Sequence, residues 1–138
     1  MPYRTRLAVR FGDVDRAGIV YFPRIFHYMH VAQEDFFGEY VGVPYHRLVE
    51  EEGVGFPTVS DATDFLGVIR YGDVLDIRVF ISRVGDSSAT FEFRIHREAT
   101  GELLVRASQV KVAVNMQSWQ KVSIPDRLRL AFASCKEE

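Results

Sequence analysis

With 138 residues, of which 47% are hydrophobic and 13% aromatic, the chain has enough apolar matter for one core and is read as a single domain over residues 1–138. Lys and Arg number 17 against 19 Asp and Glu, so the net charge of −2 gives no electrostatic case for a nucleic-acid or membrane-surface partner. The N-terminal stretch MPYRTRLAVRFGD lacks the apolar heart of an export signal, and no run of about 18 apolar residues occurs, so a cytoplasmic protein is expected.

In chain order, Tyr3 to Phe11 alternates as a first strand, with Leu7, Val9 and Phe11 on one face. An acidic turn built on small residues follows, FGDVDRAGIVYFP, in which Asp13 and Asp15 precede a long helix. Pro23 is tolerated in the first helical turn because its missing N–H would have no intrahelical partner there. A carboxylate therefore sits just ahead of a helix N-terminus, where unpaired N–H groups and the macrodipole favour negative charge, including charge that develops on a carbonyl oxygen.

From Arg24 to Tyr40 the apolar residues occupy more than one stripe of a helical wheel. That pattern predicts a central helix covered on most sides and wrapped by a sheet. Gly38 and Gly42 loosen its end, and Pro44 to Glu52 reads as a short second helix closed by Gly53 and Gly55. Pro57–Arg70, Val74–Val84, Ala89–His96 and Glu102–Asn115 read as further strands. The short links between them predict a mostly antiparallel meander. Pro125–Ala133 closes the chain as a last short helix, and Cys135 falls in the polar tail ASCKEE as a spare small residue without a disulfide partner.

Asp15 is the acid nearest the helix start and can be read either as a catalytic carboxylate or as a turn-capping residue; Asp13, two residues away on an extended segment, would point elsewhere and suits a hydrogen-bonding role. His27 and His30 share a helical face, but without a third ligand at metal-binding spacing no metal site is expected, and a packing or interface role is assigned.

The segment FGDVDRAGIVYFP with the helix behind it, then FPTVSDATDFLGVIRYGDVLDI and a strand ending KVAVN, resembles the hot-dog-fold acyl-CoA thioesterases of the 4-hydroxybenzoyl-CoA thioesterase family. The likeness runs from about Arg6 to Pro125. It implies an α+β hot-dog fold, a long helix wrapped by an antiparallel sheet of about five strands, with active sites at a homodimer seam and assembly to a dimer or tetramer. It further implies hydrolysis of an aromatic or short-chain acyl-CoA without a cofactor. Asp15 would be nucleophile or general base, the Phe22 amide the oxyanion donor, and Gly18 the point of close backbone approach. Tyr21 would line the acyl pocket, the strand that carries Thr58 and Ser60 would line it across the subunit seam, and Arg70, Arg83, Arg94 and Lys111 are the cations available to the coenzyme A phosphates. The link Gly85-Asp86-Ser87-Ser88 departs from one branch of the family, which carries a basic cluster there. The competing reading is a non-catalytic module that binds or senses acyl-CoA.

Overall fold

In the computed structural model, which describes residues 1–138, the chain opens on strand β1 (Tyr3–Ala8) and stops three residues short of the expected Phe11. The backbone turns instead through a 3₁₀ segment, Phe11–Asp13, because the Asp13 side chain accepts from the Arg10 N–H at 3.0 Å while the Asp13 N–H donates to the Arg10 carbonyl at 3.0 Å. Phe11 is left exposed, edge-on to Tyr71.

Helix α1 (Phe22–Asp35) follows, with Pro23 in its first turn. It buries Ile25, Tyr28, Met29, Ala32 and Gln33, a stripe at three- and four-residue spacing, against the sheet. The covering on most sides read from the sequence is not met within one chain, for Phe22 and Phe26 stay exposed on the flank facing β3. The α-helical geometry also ends at Asp35 rather than Tyr40. Phe36–Val41 widens into a π-type turn that lets the adjacent Phe36 and Phe37 both bury completely, and it terminates at Gly42 with φ +88°.

After helix α2 (Tyr45–Glu50) and the two-residue strand β2 (Val54–Gly55) come β3 (Thr58–Phe65), β4 (Val74–Val84), β5 (Ser88–Arg97), β6 (Leu103–Val112), β7 (Val114–Asn115) and helix α3 (Asp126–Ser134). The main sheet is antiparallel in the order β1-β4-β5-β6-β3. β4, β5 and β6 form the expected meander, but β3 lies against β6 at the far edge, so the chain must cross the end of the sheet to reach β4. The expected strand Pro57–Arg70 therefore ends at Phe65. Residues 66–73 make that crossing beneath the start of α1, where Val20 N–H donates to the Ile69 carbonyl at 2.8 Å.

Alternate residues of the strands face α1. Ile77, Val79, Phe91, Phe93, Ile95 and Val105 are fully buried there, each apolar side chain contributing about 1.5–3 kcal/mol. α3 seals the far end by setting Phe132 among Phe36, Phe37, Phe56 and Phe91 at ring separations of 5.4–6.1 Å. Cys135, expected in a polar tail, is fully buried instead: its S–H donates to the Val79 carbonyl at 3.4 Å, and burial pushes the thiol's pKa up. The Ile81 N–H, which donates to the Cys135 carbonyl at 2.9 Å, draws the end of α3 onto β4.

Candidate active site

The acidic segment between β1 and α1 folds as a small hairpin. Val14 pairs with Val20, the Asp15 N–H donates to the Ile19 carbonyl at 2.9 Å, and the Gly18 N–H returns to the Asp15 carbonyl at 3.0 Å. Closing so tight a turn requires the left-handed backbone of Gly18, φ +79°. A second pairing, Ile19 with Arg70, fastens the hairpin to the crossing segment, so Arg70 arrives beside it. The Asp15 carboxylate is exposed at the tip. One oxygen, Oδ1, accepts from the Ala17 N–H at 2.8 Å, and Oδ2 makes no bond within the chain.

Asp13 has opposite surroundings. Its Oδ2 accepts from the Tyr28 hydroxyl at 2.8 Å as well as from Arg10, and its Oδ1 lies 3.5 Å from Arg24 Nε. Burial, and next the bond to Asp13, raise the Tyr28 phenol above its ordinary pKa. Asp13 is thereby committed to joining turn and helix, whereas Asp15 keeps an oxygen free for chemistry.

At the helix start the Phe22 N–H has no acceptor within the chain, since Tyr21 is extended and Pro23 follows. Phe22 is 57% exposed and packs edge-on against Phe65 at 6.2 Å, while Phe26, one turn further on, meets the same ring at 6.3 Å. An aromatic wall thus runs along α1 from the free amide. An open hollow of about 710 Å³, lined among others by Asp15, Gly18, Phe11 and Tyr71, lies on the hairpin side.

Beyond Phe26 the wall ends in a polar cavity of about 380 Å³ between α1, α2, β3 and β6. Lys111 lies at its back, 2% exposed, with Nζ donating to Thr58 Oγ1 at 2.6 Å and to Gln109 Oε1 at 2.9 Å. Gln109 Nε2 donates in turn to Asp61 Oδ2 at 3.0 Å. No carboxylate pairs directly with the ammonium, and burial pulls the Lys111 pKa down from its ordinary 10.5 to about 8, with Asp61 pulling the other way.

The remaining sequence candidates are scattered by the fold. Thr58 is a partner of Lys111, and Ser60 is exposed on the edge strand. Arg83 sits near the end of β4 remote from the hairpin, and Arg94 lies on the outer face of the sheet, bound to Glu92 and stacked over Phe80. Gln33, Asp61 and Gln109 were not singled out from the sequence. The signal was the register: Gln109 and Lys111 fall in phase with Val105 and Ala107, the side of β6 that faces α1.

A long helix held against one face of a five-stranded antiparallel sheet, with an acid-bearing hairpin at its start, defines the class: the protein has the hot-dog fold. The family description "Thioesterase-like superfamily" matches residues 9–132, and the chain belongs to that superfamily. Over 130 residues it is 32% identical to a 1,4-dihydroxy-2-naphthoyl-CoA hydrolase of Picosynechococcus, a match that covers 91% of this chain and 88% of the relative. It is also 32% identical over 108 residues to a 4-hydroxybenzoyl-CoA thioesterase of Pseudomonas, covering 75% of this chain and 77% of the relative. The solved structure of a 1,4-dihydroxy-2-naphthoyl-CoA thioesterase from Synechocystis superposes with a TM-score of 0.88 at 21% identity, over 97% of each chain.

Proposed function

We infer that the protein hydrolyses an acyl-CoA thioester to the free acid and coenzyme A, in the cytoplasm, with Asp15 as nucleophile or general base and the Phe22 amide as oxyanion donor. The observation that carries this reading is the contrast between the two acids of the turn. Asp13 spends both oxygens on Arg10, Tyr28 and Arg24, while Asp15 holds itself with one oxygen and leaves the other open. A free carboxylate beside a helix start with an unused N–H is what addition to a thioester carbonyl needs: a base or nucleophile on one side and a donor for the oxyanion on the other. The relatives in the superfamily, named for hydrolysis of aromatic acyl-CoA esters, support the substrate class, as does the wall of Phe22, Phe26 and Phe65.

The assembly belongs to the same proposal. β3 is a sheet edge bonded on one side only, and Val59, Phe65, Leu66 and Val68 are exposed on or beside it. An exposed apolar edge is a pairing surface, and a second copy laid against it continues the sheet and covers the flank of α1. Gly18 remains the proposed point of close backbone approach beside Asp15 and the Phe22 amide, and Tyr21, Thr58, Ser60, Arg70 and Arg83 remain the proposed substrate contacts of that assembled site.

Thiol release from a panel of acyl-CoAs tests the reading. Turnover of an aromatic ester that disappears in Asp15→Asn supports it; tight binding of acyl-CoA without any thiol release would replace the hydrolase by a binding module.

A further inference from the structure

Of the four buried polar residues in the chain, three line the one cavity at the end of the aromatic wall: Gln33, Gln109 and Lys111, each less than 10% exposed. Burial of an ammonium without an ion pair is costly. Gln33 makes no side-chain hydrogen bond, and Lys111 spends two of its three protons on the neutral oxygens of Thr58 and Gln109. A ligand that enters the cavity would meet one spare ammonium proton and one unused amide.

The cavity lies in line with the proposed reaction centre. Phe22, Phe26 and His30 succeed one another at four-residue spacing on α1, so the helical lining of the cavity begins about 6 Å beyond Phe22 and runs through His30 to Gln33, about 16 Å along the axis. A one-ring acyl group whose thioester carbonyl rests at the helix start spans the apolar stretch and brings its far substituent to the near end of the cavity. The first part of the path is apolar and the far end is polar. We propose that Lys111, with Gln33, is the specificity determinant of the acyl site and selects acyl groups that end, opposite the thioester, in an anionic oxygen, a carboxylate or an ionised hydroxyl. Asp61, bonded to Gln109 and Thr63, lines the same cavity and limits how much negative charge it accepts, which favours one such group over several.

This assignment rests on the reading of the chain as an acyl-CoA hydrolase, and its test keeps the two apart. Benzoyl-CoA and 4-carboxybenzoyl-CoA differ only at the far end. With the wild-type protein, kcat/KM should favour the carboxylated ester roughly tenfold to hundredfold, the worth of a hydrogen bond to a charged group. Lys111→Met should abolish the preference, read as the ratio of kcat/KM for the two esters in the same protein, and Lys111→Arg should keep part of it. An unchanged ratio in a folded Lys111→Met protein, checked by its melting curve, overturns the role of Lys111; if Lys111→Met does not fold, Gln33→Leu takes its place with the same expectation in weaker form. Calorimetric binding of free terephthalate against benzoate reads the cavity without any turnover. If neither ester is hydrolysed but terephthalate still binds with a Lys111-dependent preference, the hydrolase reading fails and the cavity assignment stands; equal binding of the two acids overturns the assignment.

Discussion

The Tyr28 hydroxyl donates to Asp13 Oδ2 at 2.8 Å, joining the second turn of α1 to the acidic segment that precedes it. Asp13 also closes the turn through the Arg10 N–H, so one carboxylate fixes the bend after β1, the hairpin that follows and the direction of the helix. Tyr28→Phe removes the bond without changing the packing volume. It should cost about 1.5–3 kcal/mol, the range for a hydrogen bond to an ionised acceptor, read as a lower urea midpoint at unchanged slope. A midpoint equal to wild type would show that Arg10 and Arg24 hold Asp13 unaided.

The same asymmetry predicts different losses at the two acids. Asp15→Asn keeps the size and the bond to the Ala17 N–H but removes the charge; turnover should fall by roughly 10²–10⁴, the worth of a positioned base, with KM nearly unchanged. Asp13→Asn should lose stability first and much less turnover at temperatures where it stays folded. Equal losses of turnover in two folded variants would remove Asp15 from the mechanism. Glu34 is then next to test, although it is bonded to His30 at 3.0 Å; Asp64, paired with Arg106 on the outer face, is the poorer alternative.

The helix start and its hairpin were legible in the sequence because glycine and proline act through backbone geometry. Gly18 closes the turn at positive φ and Pro23 enters the first helical turn, and neither depends on distant packing. Where a residue's fate depends on tertiary neighbours the pattern misled. Phe11 continued the alternation of β1, yet Asp13 captured the backbone and turned it away. Cys135 followed a polar pattern, yet α3 is anchored through it to β4. By residue type Lys111 counts among the cations for phosphate, because a lysine in a strand with apolar residues on both faces carries no sign of which face is buried; only its phase with Val105 and Ala107 marks it as inward.

The edge strand gives a prediction about assembly. If β3 pairs with a second copy, a lysine at each of the exposed positions Val59 and Leu66 should weaken the pairing by placing like charges across the seam. Sedimentation equilibrium at micromolar concentration should find wild type at twice the 15.8 kDa chain mass or more, with the double variant shifted towards one chain and its thioesterase turnover reduced with it. A wild-type species of one chain mass would sink the edge pairing. A double variant that stays dimeric would move the interface elsewhere.

Lys111 makes folding respond to pH in a calculable direction. Below pH 8 the ammonium is protonated in folded and unfolded chains alike, and the cost of burying it is present in full. Between pH 8 and 10.5 the folded chain releases the proton while the unfolded chain keeps it, so stability gains on the order of 3 kcal/mol across that window. Burial also raises the phenol of the cavity-lining Tyr45 and the thiol of Cys135, so the quantity to follow is a difference. Asp61 from β3 and His30 from α1 face the same cavity and are present in both proteins. Urea unfolding of wild type and Lys111→Met at pH 7, 8, 9 and 10 cancels the tyrosines and the thiol. The stability of wild type relative to Lys111→Met should rise with pH, most steeply above 8, even though the methionine also leaves Thr58 and Gln109 without their donor. A difference that stays flat from pH 7 to pH 10 would mean that the buried amine keeps its proton throughout, held by Asp61 through Gln109 more firmly than the geometry implies.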